Sequence, residues 1–267
     1  GINVIGRPDP SIVGRAIEEE TQAFLAELAV QPSPLILDWL NEAVHYLKNG
    51  PASGGSVWGL GECFHIACWP TAQGANLDLF DPENHVATIA GGAPTHTPYV
   101  GWTYDGSDDH HDYGINLNVP GQNAAVMLVG SGYEGQQANT QYGWSNGGGQ
   151  TAIVINPRNG TNNIVYRVNT GTSSNLGSTT DGRGLLAAGR TGASAGWLRK
   201  NRAQVQTFSS TSTTPPDHNA HGGTVNGSVF GAGIAWAWGL FGYASLDAQI
   251  DLETGLGILC ARLRSLA

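Results

Sequence analysis

Gly182-Arg-Gly-Leu-Leu-Ala-Ala-Gly-Arg190, followed by Gly196-Trp-Leu-Arg-Lys-Asn-Arg-Ala-Gln-Val205, is the stretch that decides the fold class. It reads as two strands and then a tight hairpin. With a side-chain period of two, Trp197 and Arg199 point to one face and Leu198 and Lys200 to the other. Asn201-Arg202 falls at the turn, where Asn tolerates the left-handed backbone that two-residue hairpins require.

Working outward, the segments 99–104, 124–130, 150–156, 162–168, 184–190, 196–200 and 203–208 all read as strands. Clusters of Gly, Asn and Thr separate them at near-regular spacing, the pattern of a sandwich rather than of βαβ units. The run 209–216 ends in Pro215-Pro216 and reads as an exposed loop. The segment 230–241 is apolar and Gly-rich without interruption, which predicts a central buried strand with a bulge at Gly239. Ser245 then caps a C-terminal helix with an apolar face of Leu252, Leu256, Leu259 and Leu263, broken at Gly255. No internal repeat is present.

The first 80 residues differ. Ser11 caps a predicted helix with Val13, Ile17, Phe24 and Leu28 at helical spacing. Ser33-Pro34 opens a second, striped by Ile36, Leu40, Val44 and Leu47 and stopped by Asn49-Gly50. Val57, Leu60, Phe64 and Ala67 predict a third short helix ending near Pro70. The expected organisation is a helical lead-in over residues 1–80 and a sandwich with its C-terminal helix over 81–267.

Composition narrows the function classes. Of 267 residues only 12% are charged, Gly numbers 39, and the net charge is −9 with 12 Lys and Arg. Nucleic-acid binding needs clustered cations, so it is excluded as an expectation. No apolar run approaches a membrane span. The opening Gly1-Ile-Asn-Val-Ile-Gly-Arg-Pro8 lacks the apolar core of a secretory signal, and the missing initial Met points to a processed or incompletely read start. Cys63 and Cys68, placed on the third predicted helix, point apart, so they and Cys260 are expected to be free buried thiols of a chain made in a reducing cytoplasm.

Several segments, in order, are similar to one group of proteins. Tyr104-Asp-Gly-Ser-Asp-Asp109 resembles the strand and turn that open many laminin-G-like domains. Val57-Trp-Gly-Leu60, Trp69 and Pro94-Thr-His-Thr97 resemble the lead-in of phage and prophage virion proteins that carry this domain. Gly231-Ala-Gly-Ile-Ala235, Gly239-Leu240 and Ser245-Leu-Asp-Ala248 resemble its ending, and the hairpin at Asn201 its strand–turn–strand signature. The resemblance covers about residues 20–265. It implies a mainly β fold, a concanavalin A-like antiparallel sandwich or jelly roll. It also implies a virion location as a head-decoration, fibre or tail component, with other virion proteins and a host-surface polysaccharide as partners. A homo-oligomer is expected, a trimer favoured. The chain departs from the pattern at Arg202, where Gly is usual, at His110-His111, and in the Trp content of 230–241.

Candidate chemistry is sparse. Asp105, Asp108, Asp109 and Asp112 surround His110 and His111; the first three carboxylates could ligate calcium, or form a turn through bonds to nearby backbone N–H groups. Asp217-His-Asn-Ala-His221 reads as an exposed loop, with metal binding as the other reading. A glycosidase needs two carboxylates, yet Glu134 is the only Glu between residues 84 and 252, with Asp109 as a conceivable second. Neither a Gly-x-Ser-x-Gly elbow nor a phosphate loop occurs, so no catalytic residue is assigned. Tyr113, Tyr133, Tyr142, Trp144 and Trp197 fall in or beside predicted loops and are the candidate glycan-binding rings, whereas Trp236 and Trp238 are expected in the core or at a subunit interface. The reading is non-enzymatic adhesion to glycan, without a required cofactor. The alternatives are a polysaccharide depolymerase and a purely structural virion protein.

Overall fold

The computed structural model describes residues 16–132, 134–136, 142–145, 152–170, 174–175, 179, 181–224 and 231–267. In chain order the helices are α1 (Glu19–Ala26), α2 (Pro34–Asn49), the single turn α3 (Ala72–Ala75) and α4 (Leu246–Arg264). The strands are β1 (Gly61–His65), β2 (Thr88–Ile89), β3 (Thr95–Thr97), β4 (Gly101–Asp105), β5 (His111–Asn116), β6 (Ala125–Ser131), β7 (Tyr142–Ser145) and β8 (Ala152–Asn156). They continue with β9 (Val165–Thr170), β10 (Ser174–Asn175), β11 (Gly184–Arg190), β12 (Ala195–Lys200), β13 (Ala203–Ser209), β14 (Asn219–Gly222) and β15 (Ala232–Gly242).

Two antiparallel sheets face each other. One runs β13-β12-β11-β6-β15-β4-β3, with β1 also paired to β15; the other runs β10-β9-β8-β7-β14-β5-β2. Aromatic pairs bridge them: Tyr113 of β5 stacks flat on Trp238 of β15 at 4.3 Å, and Phe208 of β13 meets Tyr166 of β9 edge-on at 5.2 Å. Each such pair adds roughly 0.5–1.5 kcal/mol beyond the area it buries. Helix α4 lies on the outer face of the eight-stranded sheet, with Glu253 on Arg199 and Arg264 over Trp236, and α2 packs against α4. Among the described residues, no helix is long and apolar enough to cross a membrane.

The hairpin of β12 and β13 forms as its residues dictate. Asn201 and Arg202 have φ of 51° and 69°, both left-handed, which is the turn whose twist matches the flanking strands. Asn201 repays its strain locally: its side-chain oxygen accepts from Leu185 N at 3.0 Å, tying the turn to β11. A register shift follows Leu198 against β13.

The strand expected over 230–241 is β15, paired to β6 on one side and to both β4 and β1 on the other. Its bulge lies between Ala235 and Ala237, not at Gly239. The bulge breaks the period of two. Trp238 therefore turns inward onto Tyr113, while Trp236, two residues earlier, lies on the helix side under the Arg264 guanidinium at 5.0 Å.

The third predicted helix is absent. Trp58–Leu60 is a single 3-10 turn, and Gly61–His65 is β1, with Cys63 opposite Leu240 and His65 opposite Trp238. Both faces of this strand are covered, so its apolar residues do not alternate and mimic a helical stripe. Asp78, fully buried, accepts from Phe64 N and Phe80 N and fastens the following turn to β1. Residues 61–80 thus belong to the sandwich rather than to a separate lead-in. Ser11 lies outside the described residues, but residues 16–18 are not helical: the helix begins only at Glu19 as α1, with Phe24 buried and Ile17 exposed.

Helix α4 runs unbroken through Gly255. A Cβ there would lie 2.9 Å from Leu47 Cδ2, so Gly255 is where α2 lies tightly against α4 rather than where the helix stops. Ser245 caps it, its hydroxyl accepting from Ala248 N at 3.1 Å. Buried Asp251 holds the chain after α2 by accepting from Ala52 N and Ser53 N. All three cysteines are buried and free.

Candidate recognition groove

Of the five rings expected to meet glycan, Tyr113 and Tyr142 are buried between the sheets, Tyr113 on Trp238 and Tyr142 edge-on to Tyr104 at 6.5 Å. Burial raises both phenol pKa values. This corrects the expectation that they face solvent. Along β5 the residues His111, Tyr113 and Ile115 share the inward parity, and only Asp112, Gly114 and Asn116 look out. Tyr133 and the side chain of Trp144 lie outside the described residues.

Trp197 is different. It sits on β12 with its ring over Gly189, where a Cβ would come within 2.6 Å of the indole. Gly189 therefore seats the ring flat on the outer face of the sheet. Tyr243, in the link between β15 and α4, stands beside it at 6.2 Å. Around them opens a groove of about 520 Å³, lined by Trp197, Tyr243 and Arg199 together with the hydroxyls of Thr191, Ser194, Thr207 and Ser209. Those four hydroxyl residues are exposed, while Trp197 is 7% exposed and forms the floor. Its indole N–H is buried and has no hydrogen-bond partner. Arg199 is fixed: its Nε lies 2.9 Å from Glu253 Oε1 on α4, and its Nη2 donates to the Arg202 carbonyl. Burial pushes the Glu253 carboxyl up, opposed by the Arg199 charge. No described residue lining the groove is Asp or Glu.

The acidic cluster lies elsewhere, in the turn from β4 to β5. Asp105, Asp108 and Asp109 bring carboxylate oxygens within 4.8 Å of one another. Asp109 accepts from Asp105 N at 3.0 Å and Asp105 from Ser107 N at 2.7 Å. These are the local bonds of a turn, made by the same hard oxygen donors that would suit calcium. Glu134 stands 3.6 Å from Arg183, an exposed pair. His221 corrects the loop expectation. It lies on β14, between β5 and β7, opposite Asp112 and Gly143. The paired prolines end before this short strand begins, and the alternate residues Ala220 and Gly222 are buried.

Tyr243 and the groove hydroxyls carry no sequence signal of their own. They come from separate stretches around residues 191–195, 207–209 and 243, and only strand pairing and the entry into α4 bring them together.

No protein family and no curated protein matches the sequence. Among solved structures, the receptor binding domain of botulinum neurotoxin mosaic serotype C/D is similar over 75% of this chain and 52% of that one, with a TM-score of 0.55 and 11% identity. Trypanosoma rangeli sialidase in complex with sialic acid is similar over 82% of this chain and 38% of that one, with a TM-score of 0.53 and 11% identity. The chain thus spans about half of the first and under two fifths of the second. At such identity the likeness is one of fold, and with the two facing antiparallel sheets it makes this chain a concanavalin A-like β-sandwich.

Proposed function

We propose that the chain is a non-enzymatic carbohydrate-recognition module that holds a sugar in the Trp197–Tyr243 groove. The observation that carries this reading is the composition of the groove: aromatic rings at the floor and side, ringed by the hydroxyls of Thr191, Ser194, Thr207 and Ser209. Rigid rings bury the apolar faces of a sugar at low entropic cost, and hydroxyls answer its hydroxyls. Its volume of about 520 Å³ suits one small ligand. The Arg199 charge is already matched by Glu253, so the preferred ligand is a neutral sugar. Hydrolysis would need two carboxylates at the bond, and the described lining supplies none. The neighbouring folds support the reading from outside: one is a toxin's receptor binding domain, the other a sialidase seen with sialic acid. The resemblance to virion proteins supports a place on a phage particle, as a homo-oligomer facing a host polysaccharide.

The test is titration of the protein with host-surface polysaccharide, followed by chain-length measurement of the sugar. Wild type is expected to retain the polymer unshortened. Thr207→Trp, an exposed change that fills the groove, is expected to weaken binding at least tenfold, and Tyr243→Ala likewise. Shortened chains would replace the reading with a depolymerase and make Glu134→Gln and Asp109→Asn the next variants. Binding indifferent to Thr207→Trp would remove the groove.

A further inference from the structure

A second opening lies under α4. It is a cleft of about 320 Å³, and Glu253, which lines it, is the ion-pair partner of the Arg199 that lines the groove. Its apolar surface comes from Leu185 on β11, Trp236 on β15, and Ile258 and Ala261 on α4. Trp236 lies flat because β6 has glycine beneath it: a Cβ at Gly130 would sit 2.3 Å from the ring. The Trp236 N–H is buried without a partner.

Three arginines, Arg202, Arg262 and Arg264, also line the cleft, in a protein with only 12 basic residues and a net charge of −9. Arg262 is paired with Glu42, and the Glu253 carboxylate is held by Arg199 and by Gln249 Nε2 at 3.1 Å. Arg202 and Arg264 are exposed, and among the described residues neither has a carboxylate within ion-pair distance. Arg264 is laid over the Trp236 ring at 5.0 Å, which orients its guanidinium at the cleft. An apolar hollow of ligand size with two exposed guanidinium groups, neither in a direct ion pair among the described residues and only Arg202 within reach of the Glu253 charge, is complementary to one kind of molecule. Guanidinium groups bind planar carboxylates through paired N–H donors, and binding pockets combine an apolar lining with a few placed polar groups.

We propose that this cleft binds a small apolar molecule ending in a carboxylate, its body against Leu185, Trp236, Ile258 and Ala261 and its charge on Arg202 and Arg264. The site is separate from the groove assigned to sugar and does not depend on that assignment. The probe is decanoate, compared with decanol and decylamine by isothermal titration calorimetry on the full chain. Decanoate is expected to bind, and decanol and decylamine at least tenfold more weakly. The double variant Arg202→Ala with Arg264→Ala is expected to lose at least tenfold in decanoate affinity. Ala261→Trp, at an exposed position of α4, is expected to block the cleft, and Thr207→Trp to leave decanoate binding unchanged. Failure of wild type to bind decanoate would overturn the proposal. So would equal binding of decanol, unchanged affinity in the double variant, or loss of decanoate binding in Thr207→Trp, which would move the ligand to the groove.

Discussion

Arg202 shows how one residue carries opposing demands. Its φ of 69° is left-handed, a conformation that costs an L residue with a Cβ roughly 1–2 kcal/mol and a glycine almost nothing. Its side chain is exposed at the α4 cleft, and its carbonyl receives Arg199. Arg202→Gly keeps the carbonyl and relieves the strain, but it also frees the unfolded backbone. The expected net result is a gain of about 0.5–1 kcal/mol, read as a rise in urea midpoint at unchanged slope. A lower midpoint would mean that the arginine makes contacts outweighing its strain. The residue scale is also where sequence reading of the site was weakest. Tyr113 and Trp197 both lie on strands at aromatic positions, and nothing local distinguishes a ring between the sheets from a ring seated on Gly189 at the outer face.

At the scale of elements, packing decided what local pattern could not. The segment Gly61–His65 reads as helical because Phe64 falls at helical spacing from Val57, Leu60 and Ala67, whereas in the fold Cys63, Phe64 and His65 are buried on both faces of β1. Gly255 looked like a helix stop, but α4 passes through it, because the missing side chain makes room for Leu47 and Tyr46 of α2. Gly255→Val should therefore drive a branched side chain into a closed contact. A destabilisation of about 1–3 kcal/mol is expected by denaturant unfolding, the usual cost of overpacking. Helix content by circular dichroism in native buffer should stay unchanged. A neutral or stabilising result would mean that α2 and α4 are not tightly packed there. The start of α4, by contrast, was legible: Ser245 is an N-cap by type and by geometry. Ser245→Ala is expected to cost about 1 kcal/mol.

For the molecule as a whole, the most testable consequence concerns acid. The sandwich encloses His65 and His111 between its sheets, and burial pushes His65 down to about 4 and His111 to about 3 from an ordinary value of 6.5. His96 and His221 shift the same way, again mainly through burial. A depressed imidazole stays neutral in the fold while the unfolded chain takes up a proton below about pH 6.5. Stability is therefore full above that pH and drains away as pH falls toward 4. Asp78, raised to about 6, works in the opposite sense, as do Glu62 and Glu253, both raised by burial. The four imidazoles outnumber these three carboxyls, so between pH 6.5 and 5 stability should fall by about 1 kcal/mol per pH unit, roughly one net proton. Urea unfolding at pH 7 and 5 measures the slope directly, and His65→Phe should flatten it. A midpoint that rises toward pH 5 would show that the carboxyls dominate.

Period-two alternation, turn residues and the low charge were enough to establish a β-sandwich, its hairpin at Asn201-Arg202, its central strand β15 and its capped last helix, because each of these rests on interactions between near neighbours in the chain. The groove and the cleft were not legible. Each gathers residues tens of positions apart, and a flat seat for Trp197 or Trp236 depends on a glycine in a neighbouring strand. Strand order, the bulge at Trp236 and the lie of α4 are set by tertiary packing. They alone determine which rings are core and which line a surface that a ligand can reach, because burial is a property of what the rest of the chain places on top of a residue.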